Sequence, residues 1–102
     1  MDRSVKFNLI ADELEQDAIG QYVRTGVVSR EVYGQLGSIT RDEFFSAGRN
    51  GFKPSLMVSM FAPDYEGEQT CTIDGVTYSI YRTYRRRNDL IELYLERRVG
   101  DG

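Results

Sequence analysis

The sequence predicts a mainly β protein, a small antiparallel β-barrel or sandwich of about six strands with one short helix between the second and third strands. Three observations carry that reading. Alternation of apolar and polar residues with period two recurs in both halves of the chain, and Asp74-Gly75 stands between two such runs as a tight-hairpin signal. The best-marked helix is a brief segment enclosed by cap residues. So many strand edges are most readily sheltered by closing or stacking the sheet.

The first strand comes from Val5, Phe7 and Leu9 alternating with Lys6, Asn8 and Ile10, which leaves one apolar face. The pattern then dissolves. Residues 11–26 open with Asp12, Glu13, Glu15 and Asp17 and hold Gly20 and Gly26. They read as a long solvated connection that rejoins the sheet near Tyr22-Val23, or as two extended hairpin arms. Strand character resumes from Val27 to Leu36, with Val28, Arg30, Val32 and Gly34 on one side and Ser29, Glu31, Tyr33 and Gln35 on the other.

The helix spans Thr40 to Gly48. Thr40 is placed to cap its first turn, and Glu43, three residues on, to reach back to the cap's own amide in a capping box. Ile39 and Phe44 are spaced for a hydrophobic staple, which makes Phe44 the core anchor. Phe45 points about 100° away and is left for an interface. Gly48 suits the left-handed residue that ends the helix. Such a short helix is marginal alone and needs a sheet to dock on.

After the helix, Asn50-Gly51 and Pro54 supply turn chemistry, and Leu56 to Phe61 is almost continuously apolar, as in a strand covered on both faces. Residues 62–68 form an acidic loop. The Asp74-Gly75 hairpin then leads into a strand with Val76, Tyr78 and Ile80 on one face and Thr77, Ser79 and Tyr81 on the other. A last strand, Leu90 to Leu95, turns Ile91, Leu93 and Leu95 inward, and Arg97 to Gly102 reads as a frayed, flexible tail. No repeat or break divides residues 1–102, so one domain is expected.

Composition narrows the function. The 102 residues are 40% hydrophobic and 28% charged, as in an ordinary globule, and the formal charge of −3 weighs against a dedicated nucleic-acid binder. The chain has no histidine, which removes the commonest general base and the usual members of nucleophilic triads and zinc sites. Cys71 has no second cysteine to pair with and reads as a buried or half-buried strand residue. No apolar run approaches the ~20 residues of a membrane span, and the N-terminus has no signal-peptide stretch, so cytoplasmic synthesis without membrane contact is the expectation. No constellation for catalysis, no cofactor loop and no metal set is apparent, and a non-enzyme is expected.

The stretch from Arg30 to Gly48 resembles the strand and the Ser/Arg-x-Glu-Phe/Tyr helix of tailed-bacteriophage head–tail joining proteins, also called head-closure, stopper or adaptor proteins. The hairpin Asp74-Gly75-Val76-Thr77-Tyr78-Ser79-Ile80 resembles that family's Asp/Arg-Gly-x-x-Tyr/Phe-x-Ile strand, and Leu90 to Glu96 its closing strand. Tyr33 stands where the family often has tryptophan, and the apolar Leu56 to Phe61 replaces a usually basic strand. The resemblance implies a virion β-barrel, made in the bacterial host cytoplasm, that forms a ring of copies of itself. A portal or adaptor ring would lie above it, a tail-completion or tail protein below, and packaged DNA in transient contact.

A ring subunit needs distinct faces for its neighbours and partners, and loops supply them. Glu13, Asp17 and Tyr22 in the long connection are therefore interface candidates, with Phe45, Arg49 and Phe52 around the helix and Tyr65 in the acidic loop. Arg85, Arg86 and Arg87 complete the set, interleaved with Tyr81 and Tyr84 and brought near Arg97 and Arg98 if the last two strands pair. Such a run also suits a solvated hairpin end. Thr40, Glu43, Phe44, Gly48, Asp74 and Gly75 are assigned structural roles. The alternative function is an OB-like barrel that binds single-stranded nucleic acid on its Tyr/Arg strand 78–87.

Overall fold

The computed structural model describes residues 3–98. Six antiparallel strands close into a barrel in the order β1-β2-β3-β6-β5-β4. The strands are β1 (Ser4–Gln16), β2 (Tyr22–Gly37), β3 (Pro54–Phe61), β4 (Thr70–Ile73), β5 (Val76–Arg85) and β6 (Leu90–Arg97), with helix α1 (Arg41–Arg49) between β2 and β3. The barrel interior is filled by the inward positions that the alternation predicts. Phe7, Leu9, Val58, Leu93 and Leu95 are essentially inaccessible to water, and Cys71 joins them from β4. At Gly34 the backbone of β2 passes so close to β3 that a Cβ would collide with the Ser59 carbonyl, so only glycine fits this crossing.

Strand direction sorts the connections. Because neighbours alternate in direction, the β1–β2, β3–β4 and β5–β6 connections leave one end of the barrel, and the β2–β3 and β4–β5 connections leave the other. β3 and β4 stand opposite each other in the closed order, so residues 62–69 must cross the barrel mouth. They do so through a 3₁₀ turn, Ala62–Asp64, that buries Ala62. At the other end Asp74 and Gly75 both adopt left-handed φ, 51° and 79°, as a two-residue type I′ turn requires.

Residues 11–26 are strand, and the reading of a long connection gives way to that of hairpin arms. β1 continues to Gln16 and pairs with β2 back to Tyr22, and a bulge between Glu13 and Leu14 absorbs one extra β2 residue. Barrel neighbours reach only Asn8–Ile10 on β1 and Gly34–Gly37 on β2. The rest of the hairpin projects as a two-stranded arm, and the molecule measures 50 × 30 × 26 Å. Acidic residues are compatible with a strand here because both faces of the arm meet water.

Other expectations need correction. Gly48 lies inside α1, and the left-handed residue is Gly51, at φ 85°, beyond the C-cap Asn50. Phe44 is 53% exposed and anchors nothing in the core; Ala47 is the buried helix residue, because α1 lies against β3 with Phe44 turned to solvent. β3 is buried at Val58 and Met60, but Phe61 at its end is half exposed. The predicted tail is partly ordered: Arg97 ends β6, the Arg98 amide donates to the Thr77 carbonyl at 3.0 Å, and residues 99–102 lie outside the described ones. Finally, β6 runs antiparallel to β5, so Arg97 pairs with Tyr78, at the far end of the strand from Arg85.

Candidate interaction surfaces

Three features at the surface hold most of the predicted residues: the arm, the flank where α1 is clamped, and the β5–β6 turn. The arm carries Glu13, Asp17 and Tyr22. Its tip turns on Asp17, whose carboxylate accepts from the amides of Ile19 (3.0 Å) and Gln21 (2.9 Å), so this residue shapes the turn. Glu13 accepts from the Thr25 hydroxyl at 3.1 Å beside the bulge. Asp12 and Arg24 pair across the strands at 3.1 Å, both exposed, a bond of little energetic weight. The arm nevertheless exposes large apolar groups: Ile19 is 78% and Tyr22 70% accessible, and Leu14, Val23, Val27 and Val28 are exposed as well.

α1 is held by polar groups. The Thr40 hydroxyl accepts from the Glu43 amide at 3.1 Å, which is the cap half of the predicted box. The Glu43 side chain turns away from the cap. It accepts from the Tyr81 hydroxyl at 2.8 Å and is paired with the Arg82 guanidinium. Arg82 in turn lies over the Tyr94 ring, 4.2 Å from its centre. Burial pushes the Glu43 carboxyl up, but the hydrogen bonds from Arg82 and Tyr81 outweigh it and hold the group below its ordinary value. Tyr81 moves the other way, raised by burial and by its bond to Glu43. Phe52, from the turn after the helix, stacks on Tyr81 with ring centres 4.9 Å apart. With the first turn pinned by Glu43, Phe44 and Phe45 meet edge to face at 5.9 Å and project outward, and Arg49 is exposed in the last turn.

The β5–β6 turn places Asn88 and Asp89 at φ 65° and 58°, and the Arg86 amide closes it on the Leu90 carbonyl at 2.7 Å. Tyr84, Arg85, Arg86, Arg87, Asn88 and Leu90 line an open hollow of about 520 Å³. Arg86 bonds the mostly buried Glu92 carboxylate at 3.1 Å, and Glu92 also accepts from the Tyr94 hydroxyl at 2.6 Å. Arg85 comes no nearer than 4.0 Å to Asp89, and Arg87 makes no ion pair among the described residues.

Tyr65 belongs elsewhere. Its hydroxyl donates to the Glu68 carbonyl at 2.6 Å inside the crossing segment, and its ring packs on the core. That segment is fastened by a pair the sequence reading did not select: the Arg30 guanidinium donates to Glu68 at 2.6 and 3.1 Å and to the Asp64 carbonyl at 2.7 Å. Burial pushes the Glu68 carboxyl up, yet the Arg30 bond, backbone donors and the nearby charge outweigh it and lower it on balance. A signal existed, since Arg30 shares the inward face of β2 with Val32, where a charge needs a partner. Asn88-Asp89, between two alternating runs, was likewise a readable turn.

The fold and these surfaces define a closed six-stranded barrel with a projecting hairpin and an outboard helix. Compared with known proteins, the chain matches no family model and no curated protein.

Proposed function

We propose that this chain is a non-enzymatic structural subunit of a tailed-phage head–tail junction. It assembles as a ring at the portal vertex, closes the filled head and connects it to the tail. The observation that carries the reading is that much of the exposed apolar surface gathers on an arm that extends beyond the barrel and on the Phe44–Phe45 corner of α1, with Tyr33, Phe61, Tyr84 and Leu90 exposed elsewhere. Projecting apolar elements on a rigid barrel are what a small subunit needs to grip several neighbours at once. The resemblance of the Arg30 to Gly48 stretch and of the 74–80 hairpin to head–tail joining proteins supplies the particular setting.

The nucleic-acid reading has weaker support. Of the Tyr/Arg strand, Tyr81 and Arg82 are occupied by Glu43, and Arg86 by Glu92. The test is electron microscopy of particles from a phage or prophage carrying a nonsense mutation in this gene. Packaged heads without tails, many of them emptied of DNA, are expected. A normal yield of tailed, infectious particles would overturn the proposal.

A further inference from the structure

We propose that the arm of one copy seats on the basic hollow at the β5–β6 turn of a second copy, joining subunits head to tail. The inference rests on the assembly reading above and names its contact. Charge is the first support. Residues 11–26 hold four acids against one base, Arg24, whereas the β5–β6 turn gathers Arg85, Arg86 and Arg87 against Asp89 and the Glu92 that Arg86 bonds. Opposite charge on two patches of one chain steers copies toward each other and disfavours like-with-like pairing.

Shape and chemistry agree with the charge. Glu13 and Glu15 occupy alternate positions of β1, so they share a face about 7 Å apart. Val23 is paired with Glu15 and Val28 with Ala11, which puts both valines on that same face. The hollow offers the counterpart, with Tyr84 and Leu90 exposed between arginines. Among the described residues, Arg87 there makes no ion pair and Arg85 only a distant one, 4.0 Å from Asp89. An apolar centre with a charged margin on each side is the usual make-up of a protein interface. A two-stranded ribbon is also marginal by itself in water, so covering its face stabilises it.

Position decides the kind of assembly. The arm and the β5–β6 turn leave the same end of the barrel. A neighbour rotated about an axis parallel to the barrel keeps the two patches at the same end, and repetition closes a ring where the rotation divides a full turn. Patches at opposite ends would step along the axis at each contact and build an open helix.

The test uses the purified full chain with Glu15→Cys and Arg87→Cys together, at high protein concentration and low salt under mild oxidation. Cys71 is buried and its thiol is pushed up to about 12 by burial, so it stays out of the reaction. A ladder of disulfide-linked oligomers is expected, with a heterodimer alone when the two single-cysteine chains are mixed. No ladder, or a dimer from either single-cysteine chain by itself, would overturn the contact. Charge reversal guards against a trivial loss: Glu13→Arg/Glu15→Arg should abolish association in sedimentation at an unchanged melting temperature, and adding Arg85→Glu/Arg87→Glu should restore it. Failure to restore also overturns the contact. A ladder alongside normally tailed mutant particles would keep the contact and discard the head–tail role; tailless particles without a ladder would do the reverse.

Discussion

Replacing Arg30 by methionine keeps most of the side chain's bulk and removes the guanidinium that fastens residues 62–69 across the barrel mouth. Glu68 would remain, its side chain only 5% accessible, with backbone donors alone, the Glu66 amide at 2.9 Å among them, and no opposing charge from Arg30. Breaking a buried pair by deleting one partner costs about 3–5 kcal/mol. Arg30 is itself 32% accessible, so solvent screens part of the interaction. A loss of about 2–3 kcal/mol is the appropriate figure. For a domain of this size that is a fall in melting temperature of roughly 10–20 °C.

The pH dependence separates this cause from simple loss of packing. In the native chain the Glu68 carboxyl lies below its unfolded value. Its contribution is therefore present above the ordinary carboxylate range and is lost as pH falls through the lowered native value. In the variant the Arg30 bond and charge are gone and burial pushes Glu68 up, so protonation relieves the penalty. The gap between native and variant melts should narrow from pH 7 to pH 4, and Arg30→Met/Glu68→Gln should melt above the single variant. Calorimetry across that range is the assay. A single variant that melts within about 2 °C of native at pH 7, or a gap that does not narrow in acid, would refute the argument.

Thr40→Ala should cost about 1 kcal/mol, seen as a lower melting temperature and faster amide exchange in α1, because the Thr40 hydroxyl caps the Glu43 amide. Gly34→Ala should destabilise by about 1–3 kcal/mol, measured by urea unfolding, since the new methyl group meets the Ser59 carbonyl and the backbones must separate. Phe44→Ser/Phe45→Ser should change stability by no more than about 0.5 kcal/mol per site while weakening the proposed assembly at the head–tail junction; a large drop in melting temperature would mean that Phe44 does anchor the helix. Acid should loosen α1 before the barrel unfolds, as exchange protection lost when Glu43 is protonated below its lowered native value.

What the sequence by itself determined is what neighbouring residues impose on each other. Alternation put Phe7, Leu9, Leu93 and Leu95 inside, Asp74-Gly75 made its turn, and Thr40 capped its helix, because backbone preference and pleat are local. The arm was half legible, since its charge marked residues 11–26 as solvated and left both a long connection and two hairpin arms open, and strand pairing decided for the arms. Tertiary structure alone decided the strand order, and with it which polar groups meet. Residues 62–69 cross the mouth only because β3 and β4 end opposite each other, and that crossing is what brings Glu68 to Arg30. Likewise, the side of the barrel on which α1 rests gave Glu43 to Tyr81 and Arg82 instead of to its own cap and left Phe44 in solvent. Such pairings join residues tens of positions apart, and no rule of spacing along the chain encodes them; they follow from the closure of the sheet.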